Sequence, residues 1–164
     1  MADQTFNGDM VVRGTLAPTR LVVPVGCVKS ASIETGANLD ADNLESRIYA
    51  SHAQPNSAAT AETRTMFVAR RAGTINEIIA GSIAAAIGDS TVTIDVKKNG
   101  TTVLSSTIVL DNTNTARTPE VGTISGDGSF VAGDWLEVVI TISAGSGTLP
   151  TGVFVQCECD MAGV

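Results

Sequence analysis

His52 is the only histidine in the chain, and Cys157 and Cys159 stand two residues apart near its end. A histidine can take a proton from a nucleophile near neutral pH, but no Ser or Cys beside His52 forms a recognisable nucleophile motif. A Cys-x-Cys pair can offer two thiolates to zinc, which needs two further ligands. No second pair exists, and Cys27 and His52 lie far away in sequence. Residues two apart on a strand share a face, so the two cysteines read as small buried packing groups. Three cysteines, an odd count, argue against a disulfide framework. Asp89, Asp111, Asp127 and Asp134 all sit beside Gly, Asn or Ser. There an Asp side chain stabilises a turn by accepting local amide hydrogen bonds. No Asp-x-Asp-x-Asp-Gly calcium loop, glycine-rich phosphate loop or nucleophile elbow is present. Arg70-Arg71 closes a strand; it either meets an acidic partner or shields a strand end from edge pairing. The reading is a protein without a reaction: not an enzyme, with no cofactor and no metal.

The elements that carry these residues follow from composition and period. The chain has 164 residues, 10 Lys and Arg against 17 Asp and Glu, and a net charge of -7. An acidic chain is a poor partner for nucleic acid, whose phosphates call for clustered cations. No apolar run approaches the roughly 20 residues that span a bilayer, so no membrane partner is expected. Met1–Thr5 lacks a basic and then apolar leader, so no signal peptide is expected and synthesis is placed in a cytoplasm. Thr (20), Val (18) and Ile (12) dominate, which favours pleated sheet over helix. Charged residues are only 16%, consistent either with a Thr/Ser-rich β surface or with a surface covered by a partner.

The chain divides near residue 60. Residues 1–60 are broken by glycine and proline and read as an arm, with short apolar pieces at Met10-Val11-Val12 and Leu21-Val22-Val23. A short helix is expected over about 41–52: Asp42 and Glu45 make a capping-box pattern, and Leu44 and Ile48 share one face. His52 would then sit at its C-terminal end, where a cation suits the dipole. A stripe of two residues cannot hold a helix alone and needs a partner surface.

From 61 to 164 the period is two. Strands are expected over Glu62–Arg71, Gly73–Ile87, Thr91–Val96, Thr102–Leu110, Thr115–Ile124 (weaker), Asp134–Ile142 and Val153–Glu158. Asn99-Gly100 is a strong hairpin signal, because a type I′ turn needs positive φ at both central residues. Trp135 opens a strand and is expected in the core. The whole reads as all-β, an antiparallel β-sandwich with jelly-roll-like order, preceded by the extended arm and its helix.

The segment Gly73–Gly81, then Gly88–Ser106 with its Lys98-Asn99-Gly100-Thr101 hairpin, and then Ala132-Gly133-Asp134-Trp135-Leu136-Glu137-Val138 resembles the jelly-roll module of tailed-bacteriophage virion proteins. Asn7-Gly8-Asp9-Met10-Val11-Val12-Arg13-Gly14-Thr15-Leu16 is similar to the lead-ins of phage fibre and head-decoration proteins. The short link at 41–52 departs from a long fibre shaft. The resemblance implies a structural protein of the virion, assembled in the host bacterial cytoplasm. Its implied partners are itself, as a homotrimer, and a major capsid protein. Phe6, Val11, Val12, Leu16, Leu21, Val22 and Val23 would anchor the arm between copies or onto the shell, with Leu44 and Ile48 adding the helical stripe. A capsid cement or decoration protein is the leading expectation. A small tail-fibre or glycan-binding protein is the second, and would need exposed aromatics, of which Tyr49, Trp135 and four Phe are the whole supply.

Overall fold

The computed structural model describes residues 46–161. Among them every regular element is a strand. In chain order these are β1 (Ser46–Ala53), β2 (Glu62–Val68), β3 (Gly73–Gly81), β4 (Thr91–Lys98), β5 (Thr101–Thr102), β6 (Ile108–Leu110), β7 (Glu120–Gly122), β8 (Ser129–Phe130), β9 (Trp135–Ser143) and β10 (Phe154–Met161). No helix among the described residues is long and apolar enough to cross a membrane.

Alternation decides the strands. Val92, Ile94 and Val96 on β4, Leu136, Val138 and Ile140 on β9, and Val155, Cys157 and Cys159 on β10 are all buried, while their neighbours are partly or fully exposed. Such rows give each strand one apolar face, which is stable only against another apolar face. Two antiparallel sheets result. In the first, β1, β10 and β3 lie side by side, and β7 and β8 both pair with β3; in the second, β2, β9 and β4 lie side by side, and β5 and β6 both pair with β4. Buried residues of both sheets form one cluster, with Ile78, Val155 and Cys157 from the first and Val92, Ile94, Leu136 and Ile140 from the second. Burying a Val, Ile or Leu side chain contributes about 1.5–3 kcal/mol, so this shared row of aliphatics holds the sheets together with few rings. Phe67 and Phe130 supply an edge-to-face pair at 5.8 Å.

The Asn99-Gly100 hairpin forms as expected, with φ of 51° and 82°. Other expectations change. The helix over 41–52 does not form where the structure describes it: Ser46–Ala53 is a strand, paired with β10 along all eight residues. Ile48, Ala50 and His52 turn inward at a period of two. A long ladder to a distant strand outweighs one i, i+4 contact. β1, before residue 60, is thus the outer strand of the first sheet. The return strand expected over Thr102–Leu110 breaks into β5 and β6, because Val103–Ser105 crosses to the other sheet: Ser125 N–H donates to Val103 O and Ser105 N–H to Thr123 O, both at 2.8 Å. The strand over Thr115–Ile124 shortens to β7, and Gly73–Ile87 ends as a strand at Gly81. Trp135 is 42% exposed rather than in the core; it is Leu136, its neighbour, that turns inward.

Candidate functional site

The outer strands β1 and β2 belong to different sheets and run beside each other along an open side of the fold. At one end they are tied together. His52 Nε2 on β1 is 2.9 Å from Glu62 Oε1 on β2. The buried Gln54 donates from Nε2 to the same oxygen at 2.6 Å and to Thr60 O at 2.6 Å, and its Oε1 accepts from Thr60 N–H at 3.2 Å. Arg64 Nε donates to Glu62 Oε2 at 2.9 Å. The hydrogen bonds from Arg64, Gln54 and His52, in that order, hold the Glu62 carboxyl down to about 2. An imidazole oriented by a carboxylate is half of a proton-transfer device. Here the carboxylate's contacts come from β1, β2 and the link between them, so the cluster works as a clasp between the sheets.

At the other end the side opens into a groove of about 400 Å³ lined by Ser46, Ile48, Phe67, Val68, Arg70, Arg71 and Met161. Val68 is exposed at its rim, and Trp135 stands opposite it on β9. The groove reaches Phe67, Ile48 and Met161, which pack on the core.

Three of the four aspartates are engaged in their own turns, as their spacing implied; Asp89 is the exception, since its partner Ser146 lies in a loop 57 residues further along the chain. Asp89 accepts from Ser146 N–H at 2.7 Å, Asp111 from Thr113 N–H at 2.8 Å, Asp127 from Ser129 N–H at 3.0 Å, and Asp134 from Val131 N–H at 2.9 Å. Each carboxyl is held below the usual range by these bonds, those to Ser146, Thr113, Ser129 and Val131 leading. Cys157 and Cys159 are free and buried on one face of β10. Burial pushes their thiols up to about 12 and about 11, which suits packing rather than nucleophilic attack. Among the described residues no group of three or more His, Cys, Asp or Glu could hold a metal ion.

Of the interface residues expected from sequence, Phe6, Val11, Val12, Leu16, Leu21, Val22, Val23 and Leu44 lie outside the described residues. Ile48 lies on β1, half-buried, packed on the core and lining the groove. Phe67, Val68 and Met161 were not anticipated there. The alternation that makes β2 a strand is visible in sequence, but the gap between two outer strands is not.

No family model matches the chain, and no curated protein matches it. A solved structure of infectious bursal disease virus, Gt strain, is similar with a TM-score of 0.28 and 12% identity, covering 74% of this chain and 37% of that one. The chain therefore spans well under half of that protein's length. At this TM-score the likeness carries no weight for fold or role.

Proposed function

We propose that the chain is a structural protein of a virion: a capsid cement or decoration protein, built on a jelly roll, that binds the outer shell of a tailed bacteriophage head as a homotrimer. The observation that carries this reading is the strand order. If β5 with β6, and β7 with β8, are each taken as one broken strand, the chain makes eight strands in two sheets of four, and repeatedly changes sheet between successive strands. That order is the one a jelly roll of two Greek keys would have, and it supports this reading. Together with the resemblance of its hairpin and its Ala132–Val138 segment to phage virion modules, it favours a fold that holds neighbours together. The turn-bound carboxylates and the clasped His52 fit the same role. Such a protein works by many modest contacts, multiplied by valency across neighbouring capsomers.

The test is reconstitution. The purified full chain is added to heads stripped of accessory proteins, and the heads are sedimented and challenged by heat. The reading expects saturable co-sedimentation, delayed rupture, and a solution mass in multiples of three chains by light scattering. A folded monomer at micromolar concentration, or heads neither bound nor stabilised, overturns it.

The exposure of Trp135 favours one second reading, a small tail-fibre or receptor-binding protein whose indole stacks on a sugar. Against it, the polar groups beside Trp135 are engaged with each other: Asn99 donates to Asp134 Oδ1 at 2.6 Å and accepts from the Trp135 backbone N–H at 3.0 Å. A copy number per particle close to that of the shell protein supports the head; a handful of copies supports the tail.

A further inference from the structure

The two sheets have four lateral edges, and three of them are blunted. In the first sheet, β7 and β8 are three and two residues long. In the second, β5 and β6 are two and three residues long, and β2 carries a register shift between Thr65 and Phe67. Short strands, bulges and exposed cations are the devices that keep sheet edges from pairing with other chains. β1 is neither short nor bulged. It runs eight residues without proline and in unbroken register with β10, from Ser46 opposite Met161 to Ala53 opposite Phe154. Its one cation, Arg47, is drawn back onto its own sheet, 3.0 Å from Glu158 Oε1 and 3.2 Å from Asp160 Oδ1.

The direction of the β1 backbone is also set. Gln54 N–H donates to Val153 O at 2.8 Å, continuing the same register. Hydrogen-bonded pairs recur at every second residue of an antiparallel ladder. Ser46, Ile48, Ala50 and His52 therefore bond to β10, and Arg47, Tyr49, Ser51 and Ala53 aim their N–H and C=O groups at the outer edge. No strand among the described residues takes them.

We propose that the outer edge of β1 pairs antiparallel with β1 of a second copy of this chain about a two-fold axis, so that two first sheets become one continuous sheet. The strand is self-complementary. Tyr49, 55% exposed, lies at its middle, and placing it opposite the second copy's Tyr49 sets Arg47 against Ser51 on both sides. No like charges then face each other, and the two rings form a cross-strand aromatic pair. Charge points to the same edge. A chain of net charge -7 repels its copy, and on this strip Arg47 answers the two carboxylates of β10. The contact is isologous, as a two-fold interface must be. It does not depend on a virion role: it would join two monomers, or two trimers if the chain trimerises elsewhere.

The test uses the full chain. Light scattering and sedimentation velocity are run across a hundredfold range of concentration, with amide exchange followed at Tyr49 and Ser51. The expected result is a mass that doubles at the upper concentrations, with protection of both amides rising in parallel. Ser51→Pro removes only an outward N–H, which an edge strand tolerates, and should keep the thermal midpoint but abolish the doubling. Tyr49→Lys should do the same by setting like charges opposite each other, and it decides the matter if the proline variant fails to fold. Equal masses for the unmodified chain and Tyr49→Lys overturn the proposal. So does amide protection independent of concentration, which means the chain's own residues cover the edge. Head binding is read separately, so loss of one result leaves the other standing.

Discussion

His52 Nε2 lies 2.9 Å from Glu62 Oε1, and this contact links an outer strand of one sheet to an outer strand of the other. It shares its carboxylate with Gln54 and Arg64, so one anion gathers contacts from β1, β2 and the link between them. The clasp closes one end of an open side whose other end is the apolar groove.

Acid should loosen the clasp first. The Glu62 carboxyl is held at about 2 in the fold against an ordinary 4.5, so ionisation favours folding. That contribution is complete above about pH 4.5 and is lost as pH falls through 2. Solvent at the partly exposed carboxylate screens it, leaving about 1–2 kcal/mol. Glu62→Gln should lower stability by that amount at pH 7 and by progressively less between pH 4.5 and 2. Chemical denaturation at several pH values checks this; a constant difference across the range would refute the assignment.

The cysteines of β10 should be inert in the folded chain. Burial keeps both thiols protonated at neutral pH. Iodoacetamide at pH 8 should leave the peptide containing Cys157 and Cys159 unmodified and alkylate both in denaturant, as read by mass spectrometry. Rapid native labelling would mean that β10 opens readily.

The β4–β5 hairpin should depend more on Asn99 than on Gly100. Asn99 fixes the turn to β9 through Asp134 and the Trp135 amide, and Asn99→Ala should cost about 2 kcal/mol. A Cβ on Gly100 meets nothing within 4 Å, so Gly100→Ala pays only for its φ of +82°, about 1 kcal/mol. Thermal unfolding of the two variants should rank them in that order.

Gly73 should tolerate no side chain. A Cβ there meets the Asp160 carbonyl and the Phe130 ring where β3 lies against β10 and β8. Backbone cannot yield as a flexible side chain does, so Gly73→Ala should cost about 3 kcal/mol. A variant with an unchanged unfolding midpoint would show that this end of the sheet can spread.

Much of this was legible in sequence because it is local. Asn99-Gly100 marks its hairpin because few residues accept positive φ. Val92, Ile94 and Val96, like Leu136, Val138 and Ile140, mark their strands by period, and Asp111, Asp127 and Asp134 announce their turns by their neighbours. Cys157 and Cys159 share a buried face simply because they are two apart on a strand.

Tertiary structure alone decided the rest, where the deciding partner lies far along the chain. Ile48 fits a helical stripe as well as a strand until β10, more than a hundred residues later, supplies a ladder. Trp135 and Leu136 are adjacent apolar residues, and only the facing sheet determines which one is buried. The clasp and the groove exist because β1 and β2, outer strands of different sheets, come to lie side by side; no spacing in the sequence encodes a gap between two edges. Period and turn chemistry are properties of a few neighbouring residues, whereas pairing order follows from which apolar faces can be buried together.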